Sequence, residues 1–459
     1  MRKWLLLLAL AALPAAAQNT DIESLSGLQF NFGNPGARSL GMGGAFLGLA
    51  DDASAAEANP AGLTILRKPE ISIEARNYLE QQVLTTSGTF PNVNRTPFTH
   101  YSDRVVISFA SVVYPIKNFT IGAYYHEPLK NGGAGQVVPQ RNEFTGAVET
   151  DVPNFFLPKN GQAPVTATEC NNIRRQANDP FACLEYTVNP FLTAVDVRQR
   201  TFGLAGAWKF GKLSLGANAR YQTFSESSFT FRVTPTFAFD SISVQATADV
   251  KNGALVMKDQ NDLTFGAGFK FEATDKISVG GVFKQGPKFV APTFIATASN
   301  NLEFEKLADT TFHIPDIYGL GVSVRPIPTL TINGDAVHVK YSNLTDDFVS
   351  TVADVRDIEN PYEAKDVTEL RLGTEYFFST KIPFALRAGF WRDPAHSIEW
   401  RGPLNAPDAV AAALLYPKGE AQNHWSVGAG LAWPRFQVDF AYDSSKFYKV
   451  GSLSMVTRF

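Results

Sequence analysis

The strongest constraint in this sequence is the alternation that fills its C-terminal end. From Trp425 to Trp433 the odd positions are Trp425, Val427, Ala429, Leu431 and Trp433, and the even ones Ser426, Gly428, Gly430 and Ala432. Period two belongs to a β-strand with one oily face. After a turn at Pro434 and Arg435 it resumes, with Phe436, Val438, Phe440 and Tyr442 against Gln437, Asp439, Ala441 and Asp443. The chain then ends in Leu453, Met455, Thr457 and a terminal Phe459, interleaved with Ser452, Ser454, Val456 and Arg458.

Similar strands recur upstream at 71–78, 105–113, 119–125, 202–210, 213–221, 263–271, 277–283, 318–325, 330–341, 370–378 and 384–390. With the three terminal ones the total is about fourteen, the even number that closed bacterial barrels require. Short connections at 114–118, 211–212, 272–276, 326–329, 379–383 and 434–435 alternate with long ones, including 127–200, 225–262, 285–317 and 392–424. Short periplasmic turns and long extracellular loops are the asymmetry of an outer-membrane barrel, and the count puts the C-terminus on the periplasmic side. A final strand closing on phenylalanine resembles the last strand of such barrels. Strand 330–341 breaks the pattern: Leu330 and Ile332 share a face, but Val337, Val339 and Tyr341 take the opposite parity. Either an extra residue near Asn333 and Gly334 forms a β-bulge, or the strand edge is misplaced.

Composition decides between membrane and solution. The 41 Lys+Arg against 44 Asp+Glu leave a formal charge of −3, without the basic excess of a nucleic-acid binder. A mean hydropathy of −0.09 rules out a bundle of membrane helices but not a barrel, whose alternation averages out. At the start, Arg2 and Lys3 precede an apolar run from Trp4 to Leu13 and the small residues Ala15, Ala16 and Ala17. This reads as a secretory signal peptide over 1–17, followed by an N-terminal segment over 18–69 and the barrel over 70–459. Glu74, Arg76, Asn218, Arg220, Glu369, Arg371, Glu375, Arg387 and Asp439 oppose the oily faces. A β-sandwich would put them in bulk water. Loop asymmetry, export and strand number favour the all-β, roughly fourteen-stranded antiparallel transmembrane barrel. Its aromatic belts would include Trp208, Phe210, Tyr376, Trp433 and Phe459.

A lumen this wide needs more than side chains to fill it, so a compact segment inside is expected. The candidate is GARSLGMGGAFLGLADDASAAEANPAGL over 36–63. Asp51 or Asp52 can cap a short helix through the alanines to Glu57, and Pro60 pushes Asn59 out of it. The glycines are no dinucleotide site, lacking a βαβ unit around them. The stretch resembles the N-terminal hatch of the FadL-like family of outer-membrane transporters for long-chain fatty acids and other hydrophobic compounds. Gly43, Gly44 and Ala45, then Ala50, Asp51, Asp52, Ala53 and Ser54, then Asn59, Pro60, Ala61 and Gly62 carry the match, as do segments 314–326 and 385–394.

The resemblance implies passive uptake of a hydrophobic small molecule: loops capture it in an apolar groove, the hatch shifts, and it leaves sideways through the barrel wall. A kink in the third strand would form the lateral gate, here placed around Gly122, Glu127 and Pro128. Implied partners are outer-membrane lipid and lipopolysaccharide, and the barrel-assembly machinery during biogenesis. No cofactor, metal, nucleic acid or energy-coupling partner is expected. The PorV-like branch of the superfamily, with a shuttle or scaffold role in type IX protein secretion, is the alternative.

In the loops, Phe155, Phe156 and Leu157, then Phe191 and Leu192, then Phe289, Val290, Phe294 and Ile295 form oily clusters that mark either a ligand groove or loops packed on one another. Arg174 and Arg175 can hold a carboxylate or simply be solvated. Cys170 and Cys183 can close one disulfide in an oxidising compartment or remain free thiols. Six histidines near strand ends or in loops lack a GxSxG or HExxH context, so no enzyme is expected. An open diffusion porin is disfavoured by the expected plug.

Overall fold

The period-two segments form fourteen antiparallel strands, each hydrogen-bonded to the next in chain order. The computed structural model describes residues 32–84, 98–137, 140–141, 148–149, 154–159, 165–187, 191–233, 239–297, 301–346, 362–402, 419–446 and 448–459. The expected leader lies outside them. The barrel strands are β1 (Glu70–Leu84), β2 (Phe98–Ile116), β3 (Phe119–Val137), β4 (Phe191–Phe210) and β5 (Leu213–Val233). Next come β6 (Gln260–Thr274), β7 (Ile277–Lys284), β8 (Ile317–Ile327), β9 (Leu330–Val339) and β10 (Val367–Phe378). The last are β11 (Phe384–Asp393), β12 (Gln422–Ala432), β13 (Phe436–Ser444) and β14 (Tyr448–Arg458). The ring closes where β14 pairs with β1, from Glu70 opposite Arg458 to Glu80 opposite Tyr448. The Phe459 amide donates to the Pro69 carbonyl at 3.2 Å, so the last residue is tied to the start of β1.

Alternate residues face out and are oily. Leu204, Leu370, Leu372, Trp425, Val427 and Leu453 are all more than half exposed. In water that surface would be penalised at about 25 cal/mol per Å². A bilayer removes the penalty, which is why outward apolar and inward polar residues can coexist on every strand. At the short-turn end Trp208, Phe210, Tyr376 and Phe459 are exposed, with Trp433 stacked on Phe436 at 4.5 Å.

The parity break in β9 is not a bulge. Its register with both β8 and β10 is unbroken through Asn333 and Gly334, and residues 331 to 339 alternate regularly. What changes is polarity. Asn333 and Asp335 face in below, whereas Val337, Val339 and Tyr341 face in above, buried in one apolar cluster. The same inversion occurs in β4, where Leu204 and Phe202 face out below but Asp196 does so above, opposite inward Val197. In β5, inward Asn218, Arg220 and Gln222 give way to Phe224. Above the membrane the outer face meets water and the inner face meets packed loops, so the oily side switches while the hydrogen bonding continues. This explains why β2 to β5 run well past their oily alternation.

The N-terminal segment lies inside the ring. It contains one-turn helices at Ala37–Leu40 and Ala55–Ala58 and a 3₁₀ turn at Pro60–Ile65. Ser54, not Asp51 or Asp52, occupies the position before the second helix. Asp52 instead accepts the Ser54 amide at 2.9 Å, and Asp51 pairs with Arg38 and with Arg325 of β8 at 3.2 Å. As the preceding proline rule requires, Asn59 is extended and ends the helix. A Cβ on Gly62 would lie 2.1 Å from the Ala50 carbonyl oxygen, so only glycine allows the chain to fold back here.

Candidate functional site

Two irregularities open the barrel wall beside β3. At its short-turn end β3 pairs with β2 from Ile116 opposite Phe119 up to Phe109 opposite His126. Beyond that level, among the described residues, no pairing joins them, although β2 continues to pair with β1 and β3 with β4. On the β4 side, His126 faces Thr201 and Leu129 faces Gln199, so Glu127 and Pro128 together span one partner residue. That is a β-bulge, and Pro128 supplies its cause by lacking an amide hydrogen. A matching shift between Glu74 and Ala75 leaves Ser108 of β2 extra at the same height. Contrary to the expected strand over 119–125, β3 does not end before Pro128. The strand runs on to Val137, which puts His126 in mid-strand rather than near an end.

Glu127 at the bulge is buried and held by three hydrogen bonds from two side chains. The Tyr125 hydroxyl donates to its Oε2 at 2.5 Å, and Arg198 donates through Nε and Nη2 at 3.2 and 2.8 Å. Charge-assisted, bidentate pairs of this kind fix geometry as well as energy. Gly122, by contrast, sits in regularly paired strand between Val113 and Ala205 and takes no part in the opening.

Immediately inside lies a small hollow, of about 30 Å³, lined by Phe32, Glu57, His126, Pro128, Gln199, Arg220, Lys284, Ile314 and Ile317 among others. Glu57, from the Ala55–Ala58 turn, stands 3.1 Å from Lys284 Nζ, 3.4 Å from Arg220 Nη2 and 3.9 Å from His126 Nδ1. Burial alone would push the Glu57 carboxyl up. Arg220, then Lys284 and His126, outweigh it and hold the group down at about 2. The cluster therefore carries two fixed cations against one carboxylate, with Arg220 Nε and Gln199 Oε1 buried and making no hydrogen bond. The remaining wall is apolar apart from Gln285. Sequence reasoning had placed Arg220 on an inward face but missed Glu57, His126 and Lys284, because their meeting depends on which strands are neighbours.

Above the cavity the loops pack on one another. Phe289 stacks on Phe224 at 4.6 Å, and Phe294 and Ile295 are buried in the same sheet extension, with Val290 half-buried. Leu157 is buried and Phe156 half-buried in the hairpin of Asn154–Pro158 with Cys183–Thr187. The backbone of Phe155 belongs to that hairpin, and those of Phe191 and Leu192 begin β4; their side chains lie outside the described residues. Cys170 and Cys183 are disulfide-bonded with Cα atoms 5.5 Å apart. Arg174, on the Ala167–Ala177 helix, donates to the Cys183 carbonyl at 2.7 Å, while Arg175 is exposed.

The motif residues of the N-terminal segment all bind the wall or shape the segment. Asn59 donates to the carbonyls of Leu47 and Phe269, each at 3.1 Å, and accepts the Ala61 amide at 3.3 Å. Asp335 of β9 accepts the amides of Phe46 and Leu47 at 2.7 and 2.9 Å. Arg38 bridges Asp51 to Glu375 of β10, which Arg387 also holds. Gly44 has φ +74°, and a Cβ there would strike Arg371. Pro60 and Ala61 lie on β5, where the backbone is bare at Gly216.

The sequence model of the family described as "Outer membrane protein transport protein (OMPP1/FadL/TodX)" matches residues 185–451, more than half of the chain. The chain belongs to this family. Its fold is that of solved relatives. The toluene transporter TbuX of Ralstonia pickettii is 15% identical over 94% of this chain and 100% of its own, with a TM-score of 0.56. The toluene transporter TodX of P. putida is 13% identical over 94% and 99%, and a Pseudomonas aeruginosa FadL homologue 14% identical over 90% and 96%, both with TM-scores of 0.56. No curated protein sequence matches. This FadL/TodX family member is thus an outer-membrane transport protein for hydrophobic compounds, in a family of channels rather than enzymes.

Proposed function

We propose that the protein carries hydrophobic small molecules, long-chain fatty acids or similar amphiphiles, passively from the cell exterior into the membrane. The ligand enters beneath the loops, occupies the cavity at Pro128 and leaves sideways between β2 and β3. The observation that carries this reading is the β2–β3 ladder, which stops at Phe109 and His126 directly beside that cavity. Energetics support a lateral route over a periplasmic one. Removing the 18–69 hatch would break the buried Arg38–Glu375 ion pair, at about 3–5 kcal/mol, and the hydrogen bonds of Asp335 and Asn59 between hatch and wall, at about 1–3 kcal/mol for each group left unpaired. Parting β2 from β3 above His126 breaks no ladder. The hatch contributes Phe32 to the lining of the cavity. The excess positive charge of Arg220 and Lys284 over Glu57 suits a ligand with an anionic end and an apolar body. The aromatic loop clusters, Phe289 and Phe294 among them, would be the first surfaces it meets when the loops part.

Deleting Pro128 tests this. It removes the extra bulge residue, leaves Leu129 opposite Gln199, and lets β3 run regularly beside β2. Uptake of a fluorescent fatty acid by cells should fall at least about tenfold, with the heat-modifiable gel shift of a folded barrel retained. Undiminished uptake by a folded deletion variant would rule out the lateral route.

A further inference from the structure

The lipid-facing wall of β6 to β9 carries a groove unrelated to the transport cavity. Ala267 and Ala336 are small outward residues of its floor, the Phe269 ring packs over Gly281 between them, and Phe283 and Tyr318 form its sides. Phe283 and Tyr318 lie 5.1 Å apart, and the hollow, of about 660 Å³, opens toward the membrane. The wall is also lowest here. The 8 residues of β7 rise about 27 Å along the strand, and at a tilt of about 40° they cover about 20 Å of the roughly 25 Å apolar band. Bilayer lipid must adapt to that mismatch, and a hollow lined by rings offers a place to do so.

The groove ends at polar side chains. His338 faces outward at the loop end of β9, its Nδ1 hydrogen-bonded to Thr368 Oγ1 at 3.1 Å and its ring 6.4 Å from Tyr318. Two residues further on, with the same parity, stands Lys340. Polar and cationic groups on a lipid face are expensive in the hydrocarbon and mark the headgroup level. The loop end of the barrel lies in the outer leaflet, whose anionic lipid is the phosphorylated lipid A of lipopolysaccharide.

We propose that this groove is a lipid A site, with one acyl chain lying over Ala267, the Phe269 ring and Ala336 and a phosphate held by His338 and Lys340. The site is independent of the transport reading and needs only the outer-membrane location of the barrel.

Native mass spectrometry of the full-length barrel in nonionic detergent, titrated with lipid A or with zwitterionic phosphatidylcholine, tests it. One lipid A should remain bound at detergent concentrations that strip phosphatidylcholine. Ala336→Phe, which fills the floor, should cut retention at least about tenfold, and so should the His338→Glu, Lys340→Glu double variant. If Ala336→Phe does not fold, Ala267→Phe fills the same floor from β6. Wild-type retention of lipid A by a folded groove-filled variant, or equal retention of phosphatidylcholine by the wild type, would overturn the assignment.

Discussion

Asn59 shows how much one residue can carry. Its side chain satisfies two carbonyls, of Leu47 and Phe269, and the Ala61 amide, from three separate stretches of chain. In Asn59→Ala those groups lose their partners at about 1–3 kcal/mol each. The barrel should still fold, but planar-bilayer recordings should show more frequent leak openings than the parent; an equally quiet variant would mean that Asn59 does not hold the hatch. Glu57 is the electrostatic counterpart. Its carboxyl, ordinarily at 4.5, is held at about 2 against burial by Arg220, Lys284 and His126. A depressed carboxyl contributes its full stabilisation above the unfolded value and loses it only as pH falls toward the folded one. Leak through the wild type should therefore stay flat from neutral pH to about 4.5 as far as this group is concerned. Glu57→Gln, which leaves two cations unbalanced at a cost of about 3–5 kcal/mol, should leak throughout that range in the same recordings. The Asn59-Pro60 pair was readable in the sequence because proline acts locally on the residue before it. The partners of Glu57 were not, since Arg220 and Lys284 come from strands far along the chain.

Among the elements, β3 departs furthest from regularity. Alternation located its lower part, where oily residues face lipid, and the lone proline pointed to a local defect. Neither could tell termination from a bulge, because that depends on whether β4 still offers hydrogen bonds beyond Arg200. It does, up to Phe191. A similar logic applies to the inner wall. Gly216 faces Gly268, Gly280 faces Gly321, and Gly373 faces Gly389 across neighbouring strands. A side chain on Gly389 would meet the Gly43 amide at 2.1 Å, and one on Gly280 the Leu47 carbonyl at the same distance. In the sequence these glycines only look like weak strand positions. In the fold they let the hatch backbone lie directly on the barrel backbone, an approach that Asp335 then anchors.

At the scale of the whole molecule, under the proposed function, the ring of strands and the segment within it divide the work of sealing the membrane. The ring closes its own hydrogen bonds, and the hatch fills a lumen that polar inward residues would otherwise flood with water. Deleting residues 18–69 should leave a folded barrel with a large, steady ion conductance in planar bilayers, far above that of the parent. A deletion variant no more conductive than the full chain would remove the plug from the interpretation. Strand number and the side each residue faces in the bilayer follow from the sequence alone, because period two is a local property that lipid imposes on every strand separately. The open edge above His126, the cavity it adjoins, the charge cluster around Glu57 and the groove below His338 were decided only by tertiary structure. Each depends on register and on which strands are neighbours, and those are set by pairing between residues distant in the chain.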